Sequence, residues 1–301
     1  MINKDDIYKN INEGILEERY RAFRTNLSKN MNYIKTCGGL AGIIPGFKGK
    51  NVIVAGAGPS IDREIDLLKK YQYRDEIIII ATDMALAPLV NRGIRPAFVI
   101  SCETTPVDYF SSIPTGGMHL LAFSCISNSN LRKWKGDISF YNWMINNAMY
   151  DELWREAGDL GSVATGSIVT TQAVSLALGC GIRSLMLIGN DMAFGTEYYA
   201  KNTVVFNRNI AVSSRCLPME TVEFNAIWRR REYRIERGSR FYYTNSQFLA
   251  AKMWLEELFK NVDIPIYDNS EPGCSETAVR KSGLGEYLNG FERYPGKKRR
   301  V

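Results

Sequence analysis

Between residues 51 and 188 the chain repeats one rhythm: a short apolar run, a polar turn, then a stretch with helical spacing. The runs are Asn51–Ala55, Glu76–Ala81, Ala97–Ser101, Leu120–Phe123, Ile138–Tyr141 and Ser184–Ile188. Segments this short and this uniformly apolar suit strands covered on both faces. Their alternation with helical segments predicts parallel βαβ units. The fold expected is α/β: a Rossmann-like, open, mostly parallel sheet with helices on both faces, plus an N-terminal helical leader and a C-terminal lid and helix region. A chain of 301 residues can bury the core such a sheet needs.

Four regions follow. Residues 1–48 read as the leader, with Ile7, Ile11, Ile15 and Leu16 forming an apolar stripe that Tyr20, Phe23 and Leu27 continue. Such a helix either packs on the domain or mediates self-association. Residues 49–200 are the Rossmann-like nucleotide-binding core. Residues 201–295 are a lid or insertion followed by a helix that completes the same domain, and 296–301 are a basic tail. Within the third region, Ser246–Phe259 is an amphipathic helix, and Ile264–Tyr267 is an edge strand because Pro265 cannot donate in a central one.

The first βα unit is the most informative. After Asn51–Ala55 come Gly56, Ala57, Gly58, Pro59 and Ser60, then a helix with apolar residues at 61, 65 and 68. The glycines remove side chains where the backbone turns and something comes close. Ser60 is positioned to cap the helix, with Asp62 and Glu64 in its first turn. This is the shape of a phosphate cradle at a helix N-terminus, and equally that of an ordinary tight βα turn. The third glycine of the dinucleotide fingerprint is replaced by Ile61, which argues against NAD, and no Gly-Lys-Ser/Thr follows, which excludes a standard P-loop. Ser162–Ser167 is a second small-residue loop entering a helix over Ile168–Leu178. Thr165 and Gly166 there offer either phosphate contacts or plain capping.

Strand ends carry acids: Asp83, Glu103, and Asp191 beside Asn190. In open parallel sheets such side chains converge on one crevice. Three carboxylates at one edge repel unless a cation compensates, and Mg²⁺ shared with substrate phosphates would do so. The alternative is that each acid caps the next helix.

Charge points elsewhere than to nucleic acid. Of the net +6, Lys297–Arg300 carry +4 and Arg229–Arg231 carry +3, leaving the remainder near neutral. The second cluster is expected on a partly exposed helix or near acidic groups of a substrate. No run of 18 apolar residues and no signal-peptide pattern is present. The six cysteines are scattered without a CxxC, so reduced thiols and a cytoplasmic protein are expected. The one histidine, His119, sits in an apolar run, which leaves histidine metal sites and Ser-His-Asp triads little material.

Taken together, Ala55–Asp62, Ile80–Leu86 with Gly93–Pro96, Val163–Thr165 and Leu187–Phe194 resemble one family. It is the family of motility accessory factor (Maf) flagellin glycosyltransferases and hydroxymethylpterin pyrophosphokinases (MptE-like), whose core is similar to that of bacterial sialyltransferases. The resemblance covers about residues 51–200 and extends loosely through Phe241–Asn245 and Tyr267–Gly273. It implies a transferase with a nucleotide or its phosphates near Gly56, Gly58, Pro59, Ser60, Asp83, Thr165, Gly166 and Asn190. It implies chemistry at Asp191 and Glu103, and a possible Mg²⁺ on Asp83, Glu103 and Asp191. Bacterial sialyltransferases use a histidine base. No histidine lies in a comparable polar loop here, so Asp191 or a tyrosine near Tyr198 and Tyr199 is the candidate proton acceptor.

Three functions fit. The first is a glycosyltransferase using a nucleotide-activated sugar of the CMP-nonulosonic acid type on a protein or glycan acceptor. The second is a Mg²⁺-dependent pyrophosphokinase moving diphosphate from ATP to a hydroxymethylpterin-like molecule. The third is a non-catalytic nucleotide- or sugar-binding module whose leader helix recruits partners. Homo-oligomerisation through the leader is compatible with each.

Overall fold

The computed structural model describes residues 4–145 and 147–292, with side chains from 19 to 290. The apolar stripe expected at Ile7, Ile11, Ile15 and Leu16 lies outside the described side chains, and the basic tail lies outside the described residues. The strands are β1 (Asn51–Ala55), β2 (Ile77–Thr82), β3 (Phe98–Ser101), β4 (His119–Phe123), β5 (Asp137–Trp143), β6 (Ser162–Val163), β7 (Ser184–Ile188), β8 (Tyr233–Arg237), β9 (Arg240–Thr244), β10 (Ile266–Asp268) and β11 (Arg280–Lys281). The helices are α1 (Lys4–Cys37), α2 (Ile44–Phe47), α3 (Ile61–Leu68), α4 (Asp83–Asn91), α5 (Asn128–Lys133), α6 (Ala148–Ala157), α7 (Val169–Gly179), α8 (Val204–Val212), α9 (Met219–Arg230), α10 (Ser246–Phe259) and α11 (Leu284–Glu292).

Among the described residues nine strands form one sheet in the order β11-β10-β7-β1-β2-β3-β4-β5-β6, with every adjacent pair parallel. The chain runs outward from β1 to β6, then returns to lay β7 against the other side of β1. That reversal makes the β1–β7 seam the topological switch point, where open α/β sheets bind ligands beyond the strand carboxyl ends. β1, β2 and β7 are buried along their whole length, as their apolar runs require. The expected α/β architecture is observed.

Strand ends shift by one or two residues, and three further differences from expectation stand out. Ser162–Val163 pairs with β5 as a two-residue strand rather than forming a loop. Pro265 does not mark an edge, because β10 begins at Ile266, one residue beyond it, and lies between β7 and β11. α7 begins at Val169 and runs to Gly179.

The leader packs on the domain. Phe23, Leu27 and Ile34 of α1 are buried, and Phe23 meets Phe123, Trp143 and Tyr150 edge-on. Asn30 is fully buried and donates from Nδ2 to the carbonyls of Ser124 (3.0 Å) and Ile126 (2.8 Å). Asn26 does the same for Thr104 and Cys125. These carbonyls follow β3 and β4 and would otherwise be buried without partners, so α1 completes the sheet's hydrogen bonding as well as its core.

Residues 201–244 form α8, α9 and the β8–β9 hairpin, with a small core of Phe194, Tyr198 and Ile227. The hairpin hooks to the loop after β7 through a reciprocal backbone pair between Phe194 and Tyr243.

Candidate functional site

A cavity of about 330 Å³ opens over the carboxyl ends of β1, β2, β3 and β7. Asp83, Glu103 and Asp191 all line it, so the strand-end acids do share one crevice. Thr82, Cys102, Tyr109, Thr170 and Tyr199 add to its polar wall, and Arg19 reaches it from α1.

The glycine turn works differently from a phosphate cradle. Gly56 donates its N–H to the Ile188 carbonyl (2.9 Å) and Gly58 to the Gly189 carbonyl (2.7 Å), so neither is left for a phosphate. A Cβ on Gly58 would stand 2.5 Å from Asp191 Oδ2 and 2.9 Å from the Gly189 carbonyl oxygen. What comes close to these glycines is the loop after β7. Ser60 does not cap α3 with its own side chain. Its N–H donates to Asp191 Oδ2 (2.9 Å) and its hydroxyl donates to Asp191 Oδ1. Asp191, from the loop after β7, therefore occupies the anion position at the α3 N-terminus. A third donor, the Glu271 N–H, reaches Asp191 Oδ1 at 3.0 Å. The donors of Gly56, Gly58 and Ser60 are thus engaged within the chain, and of the three only Gly58 lines the first cavity. Pro59 and Ser60 face a second cavity of about 700 Å³, walled by Arg63, Lys201, Arg240 and Tyr242.

Asn190 is likewise committed. Its Nδ2 donates to the carbonyls of Val54 and Ile188, its Oδ1 accepts the Thr170 hydroxyl at 2.7 Å, and its N–H donates to Ser270 Oγ. It lines the cavity as a brace whose three N–H donors are all engaged within the chain. Thr165 and Gly166 do not line it. Gly166 gives its N–H to Thr171 Oγ1 (2.8 Å) and lies against Trp254, while Thr165 Oγ1 accepts from Gln172. The next residues take their place: Ile168, Val169 and Thr170 line the cavity at the start of α7, which no side chain caps.

Asp83 is the acid best suited to chemistry. It is buried at the first position of α4, and Oδ2 accepts the Ser101 hydroxyl at 2.6 Å while Oδ1 accepts the Met84 N–H at 2.8 Å. The carboxylate thus keeps accepting capacity for another partner. Burial pushes its pKa up to about 6 against those two hydrogen bonds, with nearby Glu103 adding to the rise. Burial lifts Asp191 to about 6 as well, opposed by the three donors already named. Glu103 Oε1 accepts from both the N–H and the hydroxyl of Thr105, which holds it at the rim. Tyr109 and Tyr198 are raised by burial first and stay protonated, so they serve as donors and not as bases.

The three acids do not make a Mg²⁺ site together. Among the described residues no group of three His, Cys, Asp or Glu is arranged to hold a metal, and the Asp191 oxygens are turned toward α3 and Glu271. The three-carboxylate expectation is corrected for that reason.

Sequence reasoning missed the scaffold behind the cavity. Glu271 binds Arg63 (2.9 Å) and Arg240 (2.8 Å) and accepts the Tyr242 hydroxyl, tying the hairpin to α3. Fully buried Asp268, at the end of β10, takes Lys281 Nζ at 2.9 Å, and Lys281 also bonds the carbonyls of Ser270 and Pro272. An acid at yet another strand end was the available signal. The hairpin's Arg240 and Tyr242 wall the second cavity, while the first is closed by Tyr198, Tyr199 and Phe248. No described helix is long and apolar enough to cross a membrane.

A family model described as "6-hydroxymethylpterin diphosphokinase MptE-like" matches residues 25–197. No curated protein matches. Among solved structures, the MAf glycosyltransferase from Magnetospirillum magneticum AMB-1 is similar, with a TM-score of 0.53 and 15% identity over 85% of this chain. The chain spans only 42% of that protein, and at this identity the likeness is one of fold.

Proposed function

The chain belongs to the 6-hydroxymethylpterin diphosphokinase MptE-like family, and from that premise we propose that it is a cytoplasmic, nucleotide-dependent glycosyltransferase. The donor is a nucleotide-activated sugar of the CMP-nonulosonic acid type, and the acceptor is a hydroxyl of a protein or glycan. Asp83 is the observation that carries the reading. It is a buried carboxylate in the cavity wall, with hydrogen-bonding capacity in hand and a pKa near 6. Such a group is ionised at neutral pH yet more basic than an exposed aspartate, as a general base should be. The acceptor oxygen forms a bond to the anomeric carbon while its proton passes to Asp83. The bond from that carbon to the phosphate oxygen breaks, and its electron pair leaves on the phosphate. The uncapped start of α7 at Ile168–Thr170 and the Arg19 guanidinium support this reading, since both favour the negative charge that develops there. Asp191, with three donors already engaged, is better understood as the brace that sets the cavity wall.

Diphosphate transfer from ATP is the second reading, favoured by the family's description. Thermal unfolding with CMP, CDP, AMP and ATP, each with and without Mg²⁺, separates the two. A saturating ligand at a hundred times its Kd stabilises by about 2.7 kcal/mol. Cytidine-selective stabilisation is expected. Adenine-selective, Mg²⁺-dependent stabilisation would overturn the first reading in favour of the second. Silence with every nucleotide would remove both and leave a non-catalytic module.

A further inference from the structure

We propose that the face formed by α8, α9 and the β8–β9 hairpin docks on an anionic lipid bilayer. The inference stands apart from the transfer reading, because it rests on a surface and not on the cavity. α8 buries no residue fully, and α9 buries only Glu223 and Ile227. Of the ten large hydrophobic side chains exposed among the described residues, six lie in this one segment: Ile210, Val212, Leu217, Phe224, Trp228 and Phe241. Phe224 and Trp228 stand one helical turn apart, stacked at 5.5 Å, and are 58% and 51% exposed. Arg231 lies over both the Trp228 and the Tyr243 rings and Phe241 meets Tyr243 edge-on, so the aromatic members adjoin. Monomeric proteins do not usually leave such a patch exposed unless it meets something.

Charge selects the partner. Residues 201–244 hold nine Lys and Arg against four Glu, a net +5, where the whole chain carries +6. One of those glutamates, Glu223, is buried. Arg208, Arg215 and Arg229 are exposed and form no ion pair among the described residues, while Arg231 lies over the Trp228 ring. A second copy meeting this face symmetrically would set +5 against +5, which like-charge repulsion disfavours. An acidic peptide would satisfy the arginines but would leave Ile210, Val212 and Leu217 without a role. A bilayer interface takes both sets: guanidinium groups at the phosphates, Trp and Phe at headgroup depth, and the aliphatic residues below.

The test is flotation of the full chain with vesicles of phosphatidylglycerol and phosphatidylcholine, compared with phosphatidylcholine alone and repeated in high salt. Binding to the anionic vesicles only, weakened by salt, is expected. Replacing Arg208, Arg215 and Arg229 together by Gln should weaken it about a hundredfold, at the usual contribution of each basic residue near an anionic surface. Trp228→Ser should also weaken it while leaving the salt dependence in place, with circular dichroism confirming the fold of each variant. The proposal is overturned by equal binding to neutral vesicles, by no binding to anionic ones, or by a triple variant that floats as the parent does. Capture of polyglutamate with the vesicles silent, or a dimer that Trp228→Ser dissociates, would overturn it too.

Discussion

Replacing Asp83 by Asn should make the chain more stable at pH 8 and no more stable at pH 4. The carboxylate receives two hydrogen bonds, from the Ser101 hydroxyl and the Met84 N–H. An amide keeps both contacts: Oδ1 accepts from Met84, and Nδ2 donates to the Ser101 oxygen, whose hydroxyl rotates away. What the exchange removes is the charge. Burial raises the pKa from 3.8 to about 6, so the folded chain holds this proton more tightly than the unfolded one. The group's contribution to stability is therefore complete below 3.8 and is lost as the pH rises through about 6. That rise corresponds to about 3 kcal/mol between the two limits. The Asn variant has no such loss, so it should lead the parent by about 3 kcal/mol at pH 8, on the order of 5 °C in Tm for a chain of this size. Thermal unfolding of parent and variant at both pH values measures the gap. A variant less stable than the parent at pH 8, or a gap that fails to close toward pH 4, would refute burial as the dominant influence on Asp83.

The same carboxylate sets a pH profile for turnover. A base that must be ionised gives kcat/KM falling below about pH 6, and Asp83→Asn should abolish transfer while CMP still raises its Tm. Gly58→Ala should cost about 1–3 kcal/mol in urea unfolding, because the new Cβ would sit 2.5 Å from Asp191 Oδ2. A neutral outcome there would mean that the loop after β7 yields freely. Asn30→Ala strips donors from the buried carbonyls of Ser124 and Ile126 and should cost about 2–4 kcal/mol. A loss under about 0.5 kcal/mol would show that water or a shift of α1 replaces them.

The sheet was readable because a strand buried on both faces leaves a run such as Ile77–Thr82 that little else explains. β6 escaped because its two residues bond to β5 in a span too short for any period. Convergence of Asp83, Glu103 and Asp191 on one cavity followed from strand ends alone. The role of each did not, since it depends on which donors arrive from elsewhere. Tyr109 lies in an aperiodic loop, and Arg19 reaches the cavity from a helix whose face only tertiary packing defines. Gly56 and Gly58 announced a close approach correctly but could not say by what.

That approach has a consequence for how the protein meets its solution. The N-terminus of α3 is a binding place whose ligand is built into the chain, supplied by Asp191 at an effective concentration no dissolved phosphate reaches. The seam between β1 and β7 is therefore set before any substrate arrives and is indifferent to the anions of the medium. The uncapped start of α7, which lines the cavity, is left free to meet them.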